Sequence, residues 1–147
     1  LSLELGASAA VNYHSAGRNL CETIEAAFPG KFATIVEASK SDSALELAMQ
    51  LGAHAAKVLL VGKYDGKTAP LDIQGFLMNE LQLVGSNASS GAWGDAVKIA
   101  VGGKLPLGRL ATHRFAPEDF EKAISTTRNS KDSVKTLICW DKSLLER

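Results

Sequence analysis

Three short apolar runs set the pattern of the chain. They cover residues 34–38 (TIVEA), 58–62 (VLLVG) and 81–86 (LQLVGS), and each ends in small residues. Stretches typical of helices or loops separate them, as in chains that alternate strands with helices. The pattern predicts an α/β fold with a doubly wound parallel sheet. Such sheets bind ligands outside the carboxyl ends of their strands, so we expect the functional surface there.

The rest of the pattern predicts the other elements. Apolar spacing, capping residues and Gly or Pro stops indicate helices over residues 20–28, 41–51, 71–77, 93–101 and 117–127. Further strands are predicted at residues 9–13 and 134–140. The chain starts in what resembles a helix end, and no GxGxxG turn opens the unit. We therefore expect an incomplete sheet, with parallel strands near Ala9, Thr34, Val58 and Leu81 and an exposed amino-terminal edge.

Composition narrows the class of protein. The 147 residues, of which 46% are hydrophobic, predict one domain with a substantial core. The formal net charge is zero and no long run of one sign occurs, which disfavours nucleic-acid and membrane partners. No apolar stretch approaches the roughly 18 residues of a membrane span, and no signal peptide is visible. These features predict a soluble, cytoplasmic protein.

A catalytic or metal-binding constellation is not visible in the sequence. The three histidines, His14, His54 and His113, lie in separate predicted elements and are interpreted as surface or packing residues. Cys21 and Cys139 are far apart and form no CxxC pair, so we interpret them as buried thiols, with one disulfide as the alternative. The apolar stripe that includes Trp93 is expected in the core.

The strand ends carry the more informative residues. Glu37 ends an apolar strand and is either a solvated strand terminus or a contact to a sugar hydroxyl. Gly62 and Gly85 each follow an apolar run, where they serve a tight turn or let a ligand approach the backbone closely. The GSNASSG loop is neither GxGxxG nor a Walker loop and is interpreted as a flexible turn.

Seven blocks in order carry a family resemblance: LGASAAVNY, FATIVEAS, AKVLLVG, LQLVGS, GGKLPLGRLATHRF, EDFEKAI and SVKTLICW. In this order the chain resembles the C-terminal, nucleotide-binding part of a medium-chain dehydrogenase/reductase. It is most similar to the zinc-containing alcohol and polyol dehydrogenases. The resemblance implies a partial Rossmann-like sheet that lacks its first strands and is followed by C-terminal helices and a final strand. Residues 1–147 would be a partial NAD(P)-binding domain, with residues from about 110 to 147 returning toward a catalytic domain outside this chain.

The same resemblance implies hydride transfer between an alcohol or polyol and NAD or NADP. Zinc and its ligands would lie only in the part before Leu1, so this chain would supply no catalytic residue and no metal ligand. It also implies a homo-oligomer, joined through the edge strand at residues 81–85. The cofactor contacts that it implies are Glu37, Ala38, Ser39, Val61, Gly62, Lys63, Gly85, Ser86, Asn87 and Lys135.

Two positions depart from the family pattern. Lys40 stands where the family commonly has Gly, and Ala88 and Ser89 stand where polyol dehydrogenases often have an Arg-Tyr pair. Two alternative functions stay open. One is a self-contained, doubly wound nucleotide-binding module without redox activity, because fold alone does not fix function. The other is a zinc-free, quinone-reductase-like member of the same superfamily.

Overall fold

The structure, a computed structural model, describes residues 1–66 and 68–145. The chain divides into two compact units, Leu1–Gly91 and Ala92–Arg147. The elements of the first unit are α1 (Tyr13–Ala16), α2 (Leu20–Ala27), β1 (Phe32–Glu37), α3 (Asp42–Leu51), β2 (Gly52–Leu60), α4 (Ile73–Met78) and β3 (Gln82–Gly85). Those of the second are α5 (Trp93–Val101), β4 (Ala111–Phe115), α6 (Phe120–Asn129) and β5 (Lys135–Ile138).

The first unit is built on a parallel sheet in the order β1-β2-β3. Helix α3 covers it, because Leu45, Ala48 and Met49 lie on one helical face and are buried. Two clusters form the core. Leu45, Ala48 and Val58 make the first, and Met49, Ala56 and Leu81 make the second. The structure thus confirms the strands predicted at residues 34–38, 58–62 and 81–86 and the helix over residues 41–51, with bounds that differ by a few residues.

The strand predicted at residues 9–13 is wrong. Residues 9–12 form no regular element, and Tyr13 begins the short helix α1. A strand needs a hydrogen-bonded neighbour. In the doubly wound order 3-2-1-4-5-6, two strands separate the third strand from the fourth. By the family resemblance, residues 9–13 correspond to that third strand and β1 to the fourth, so β1 is not their neighbour.

The second unit pairs β4 with β5 in a parallel ladder, against which α6 packs through the buried Ala123. Strand β4 was not predicted, because its sequence ATHRF lacks an apolar run. The expectation that the Trp93 stripe lies in the core is wrong. Trp93 is 69% exposed and Val101 is 78% exposed on α5. Helical spacing identifies a face that can be buried, but it does not supply the surface that would cover it.

Two further expectations concern cysteines and membranes. Cys139 is buried and Cys21 is partly buried, and both are free thiols. No helix within residues 1–66 and 68–145 is long and apolar enough to cross a membrane.

Replacing Ala55 by Gly should stabilise the protein by about 0.5 to 1 kcal/mol, because a left-handed backbone costs an L-residue about 1–2 kcal/mol and the freedom of Gly in the unfolded chain offsets part of the gain. Ala55 has φ of 59°, and its N–H donates to the Asn79 carbonyl at 2.8 Å. Urea unfolding measures the change. The control, Ala44→Gly inside α3, should lower stability by about 1 kcal/mol. A lower midpoint for Ala55→Gly would contradict the strain argument.

Candidate functional site

The carboxyl ends of the three parallel strands meet at one edge of the first unit. The register pairs Glu37 with Leu60, and Leu60 with Gly85. The residues that follow each strand therefore lie side by side: Ala38 and Ser39, then Val61 to Lys63, then Ser86 and Asn87. We call this row, together with the strand ends Glu37 and Gly85 and with Tyr64 and Asp65, the carboxyl edge. It brings together every predicted cofactor contact except Lys135.

Glu37 is buried, with only 4% of its surface exposed, and its carboxylate is held on both sides. Oε1 accepts hydrogen bonds from the Ser39 backbone N–H and hydroxyl, both at 2.6 Å. Oε2 accepts one from the Tyr64 hydroxyl at 2.7 Å. The Lys40 backbone N–H also stabilises this carboxylate. Three hydrogen bonds from the chain itself therefore hold this carboxylate, and its role as a cofactor contact stays a prediction.

These contacts set the charge state of the pair. Burial alone would raise the pKa of Glu37, but the hydrogen bonds from Ser39, Tyr64 and the Lys40 backbone outweigh it and hold that pKa below its ordinary value. Burial, the hydrogen bond to Glu37 and the negative charges of Glu37 and Asp42 raise the pKa of Tyr64 to about 12. Tyr64 is therefore a protonated donor at neutral pH, and Glu37 is an ionised acceptor.

Gly62 is required by this arrangement. A Cβ built on Gly62 would lie 2.9 Å from the Lys40 backbone nitrogen and 3.1 Å from Glu37 Oε2. The N–H groups of Val61 and Gly62 both donate to the Glu37 carbonyl, at 2.9 and 3.2 Å. Close packing of the chain on itself thus explains Gly62. At Gly85, by contrast, apart from its chain neighbours no heavy atom of the described residues lies within 4 Å of a built Cβ, so space beside this strand end is open.

Lys40 departs from the family's glycine and adopts the conformation that glycine allows. Its φ is 61°, in the left-handed region. Its ammonium group lies 3.9 Å from Asp65, which also pairs with Lys63 at 3.2 Å. This ion pair joins the loop after β2 to the turn after β1, in addition to the hydrogen bond between Tyr64 and Glu37. Sequence reasoning missed Tyr64 and Asp65, and the only available signal was an aromatic residue in a polar loop two positions after Gly62.

Lys135 lies in the second unit, where it is exposed and begins β5 opposite Ala111. Its carbonyl accepts a hydrogen bond from the Thr112 hydroxyl at 3.4 Å. Its role as a cofactor contact stays a prediction. In the part of the chain that the structure describes, no group of three or more His, Cys, Asp or Glu side chains could hold a metal ion.

A different cavity lies at the amino ends of the strands, opposite the carboxyl edge. It has a volume of about 370 Å³ and is lined in part by Lys31, Gln50, His54, Asp72 and Asn79. Lys31 donates to Glu25 and to the Gln50 carbonyl, so its charge is already used within the unit. The surface beside the open edge of β1, around residues 35–39, holds a smaller cavity of about 200 Å³.

The zinc-binding dehydrogenase profile matches residues 1–101, more than two thirds of the chain. The chain belongs to the zinc-binding dehydrogenase family. It is similar to the erythritol/L-threitol dehydrogenase of Mycolicibacterium smegmatis, with 32% identity over 56 residues. That alignment covers 38% of this chain and 16% of the relative.

Solved structures share the fold of the zinc-binding dehydrogenase chain. An E. coli CFT073 alcohol dehydrogenase in complex with NADH matches 95% of this chain with a TM-score of 0.82 and 22% identity. A Sinorhizobium meliloti 1021 protein described as a zinc-binding dehydrogenase, bound to NADP, matches 93% with a TM-score of 0.79 and 22% identity. Galactitol-1-phosphate dehydrogenase of Escherichia coli matches 93% with a TM-score of 0.75 and 24% identity. The chain spans 40%, 40% and 42% of these structures.

Glu37→Gln should lower the free energy of unfolding by about 1 to 3 kcal/mol at pH 7. The amide places an NH₂ group where a carboxylate oxygen now accepts hydrogen bonds, so at least one donor loses its acceptor. The folded pKa of Glu37 is lowered, so its stabilisation is complete above the unfolded pKa and is lost as the pH falls through the folded value. Wild-type stability should therefore fall below about pH 4.3, the ordinary glutamate pKa, with a steeper slope than in Glu37→Gln.

Urea unfolding between pH 3 and pH 7 measures both effects. Glu46→Gln, the same change at an exposed position on α3, is the control and should leave stability and its pH slope nearly unchanged. Equal pH slopes for wild type and Glu37→Gln would contradict the proposed charge state.

Proposed function

We propose that this chain is part of an NAD(P)-dependent alcohol or polyol dehydrogenase and that its carboxyl edge supplies part of the cofactor site. The observation that supports this most strongly is the parallel register, which aligns the ends of β1, β2 and β3 at one edge. Open doubly wound sheets bind nucleotides at this edge. Membership of the zinc-binding dehydrogenase family adds the class of reaction.

Main-chain groups at the carboxyl edge have defined roles in this proposal. The N–H groups of Val61 and Gly62 are bound to the Glu37 carbonyl, and the Ser86 N–H is bound to the Leu60 carbonyl. A carboxamide amine would therefore meet carbonyl oxygens of these segments, which accept the hydrogen bonds that its N–H groups donate. The open space beside Gly85 admits a flat ring. Ser39 and Asn87 add side-chain polar groups at the two ends of the row.

The reaction is hydride transfer between the carbinol carbon of the substrate and the nicotinamide, and the cofactor supplies that redox chemistry. This chain binds and orients the cofactor. A zinc ion would be held by residues outside the described ranges, because no group of side chains within them could hold a metal ion. We propose that residues from about 110 to 147 return toward that catalytic part. The protein would act in the cytoplasm.

A polyol substrate is supported by the relatives. The M. smegmatis enzyme is named for erythritol and L-threitol, and a structural neighbour is named for galactitol 1-phosphate. Ala88 and Ser89 replace the Arg-Tyr pair that polyol dehydrogenases often carry, and both have positive φ, of 54° and 50°. The loop after β3 therefore offers no cationic or phenolic group at these two positions. We propose an alcohol or polyol that needs neither group for binding.

Lys135→Ala in the intact protein should weaken NAD(P) binding by about 1 to 3 kcal/mol, the range for a hydrogen bond to a charged group. The family resemblance places this lysine at the cofactor pyrophosphate, where it acts as a point charge. Such a contact holds the cofactor equally in ground and transition states, so the cofactor KM should rise while kcat changes little.

Fluorescence titration with NADH and NADPH, followed by steady-state kinetics, measures this effect. Lys131→Ala is the control, since Lys131 is exposed and precedes the same strand. Wild-type protein that binds neither cofactor would overturn the proposed function. Equal cofactor affinity for Lys135→Ala and wild type would overturn only the role of Lys135.

Strand β3 is an edge of the described sheet, and we propose that it joins two copies of the protein through the segment at residues 81–85. Its sequence lacks the charges that usually protect an exposed edge. Leu83→Lys should therefore shift the intact protein toward monomer in analytical ultracentrifugation. Ile73→Lys puts the same charge on α4, at a residue that is 56% exposed, and should leave sedimentation unchanged. Identical sedimentation of Leu83→Lys and wild type would contradict the proposal.

A further inference from the structure

Tyr64 makes a contact that the cofactor proposal does not use. Its hydroxyl donates to Glu37 Oε2 at 2.7 Å, across a sequence separation of 27 residues. The two residues belong to different segments of the carboxyl edge, Glu37 at the end of β1 and Tyr64 in the loop after β2. We call residues 61–65 the β2 loop.

The contact joins the β2 loop to the end of strand β1. The β2 loop is polar and lies outside any helix or strand, whereas Glu37 is buried at the end of a paired strand. At the start of the loop, Val61 and Gly62 are tied to the Glu37 carbonyl. At its far end, Asp65 is tied to Lys40 by an ion pair that is exposed and therefore weak. Between them, Tyr64 supplies the side-chain tie that ends on a buried charge.

We propose that Tyr64 is a positioning residue of the cofactor site, whose hydroxyl holds the Glu37 carboxylate and thereby fixes the β2 loop against the end of β1. This inference rests on the proposed function, because it assigns the loop a cofactor to contact. It also changes the role of Glu37. In this proposal the carboxylate, which accepts three hydrogen bonds from the chain itself, supports the carboxyl edge and takes no part in binding a ribose hydroxyl.

The surrounding charges agree with a fixed donor–acceptor pair. Asp42 at the start of α3 acts on Tyr64 with a second negative charge. Asp65 pairs with both Lys40 and Lys63, and all three side chains are exposed. The negative groups disfavour ionisation of the phenol, so Tyr64 keeps its proton and remains a donor. It is thus suited to hold the loop and not to exchange a proton with substrate.

The test compares the two tyrosines of this chain in the intact protein. Tyr64→Phe removes only the hydroxyl, and Tyr13→Phe removes the same atom from a ring that is 63% exposed on α1. At pH 7, NADH titration should give a dissociation constant about three- to tenfold higher for Tyr64→Phe, the effect of losing part of one hydrogen bond to a charged group. Tyr13→Phe should bind as wild type does.

A second readout separates positioning through Glu37 from simple loop packing. Without the Tyr64 donor the folded pKa of Glu37 rises toward its unfolded value, so the loss of stability in acid should be smaller, with a shallower pH slope, in Tyr64→Phe than in wild type or Tyr13→Phe. Urea unfolding across pH 3 to 7 measures this. The double variant Glu37→Gln/Tyr64→Phe should lose less cofactor affinity than the sum of the losses in the two single variants.

Each outcome decides one question. If wild type binds neither NADH nor NADPH, the proposed function fails and this inference fails with it. If wild type binds and Tyr64→Phe binds equally well, only the role of Tyr64 is overturned. Weaker cofactor binding with the wild-type pH slope of stability, or with fully additive losses of affinity, would show that Tyr64 does not act through Glu37.

One measurement needs no variant at position 64 to fold. In protein labelled with 3-fluorotyrosine, one ¹⁹F resonance should titrate at a higher pH than free 3-fluorotyrosine, because burial and Glu37 raise the pKa of Tyr64. Glu37→Gln should lower the pH at which that resistant ring ionises. If no ring titrates above free 3-fluorotyrosine, the hydrogen bond between Tyr64 and Glu37 does not exist in solution and the inference is wrong.

Discussion

A buried carboxylate organises the end of the sheet. Burying a charge is costly unless hydrogen bonds replace the lost water. Among the described residues with buried side chains, Glu37 alone is charged, and its partners come from the turn after β1 and from the β2 loop. The cost of burial is therefore met only when both segments take one particular arrangement. That requirement holds the turn after β1 and the β2 loop in one arrangement, and together they form a defined surface.

The backbone around Glu37 follows from the same requirement. For the β2 loop to approach the turn after β1, residue 62 must have no side chain, because a Cβ there would meet the Lys40 backbone nitrogen at 2.9 Å. The turn itself passes through a left-handed residue, and Lys40 occupies that position with φ of 61° in place of the family's glycine. This strain, about 1–2 kcal/mol for an L-residue, is tolerated because the surrounding hydrogen bonds determine the backbone path.

Much of this arrangement was predictable from the sequence, and the reasons for the failures are specific. The runs at residues 34–38, 58–62 and 81–86 are short and apolar, and they supply Val58 and Leu81 to the buried core, so their pattern is strong. Residues 9–13 have a similar pattern but form no strand, since pairing depends on a neighbour that local sequence does not reveal. Trp93 shows the same limit, because its helical spacing does not reveal whether another surface covers it. Strand β4 shows it in reverse, because its polar sequence gives no sign that its backbone pairs with β5.

At the candidate site, the sequence singled out Glu37 and Gly62 but left a ligand contact and an internal role open for each. The sequence could not reveal that Tyr64 binds Glu37, because Tyr64 is distant from Glu37 in sequence and matches no motif. The family resemblance was specific because it used seven blocks in order, and membership of the zinc-binding dehydrogenase family confirms it. The fold alone could not have identified this family, because the same fold occurs in proteins of different function.

Hydrogen–deuterium exchange of the intact protein with and without NADH tests the central claim most directly. If the carboxyl edge binds the cofactor, NADH should slow exchange at residues 38–41, 61–65 and 85–88 and leave residues 52–55 and 70–75, around the cavity at the opposite end of the strands, unchanged. Protection confined to that opposite cavity, with no change at the carboxyl edge, would contradict the account.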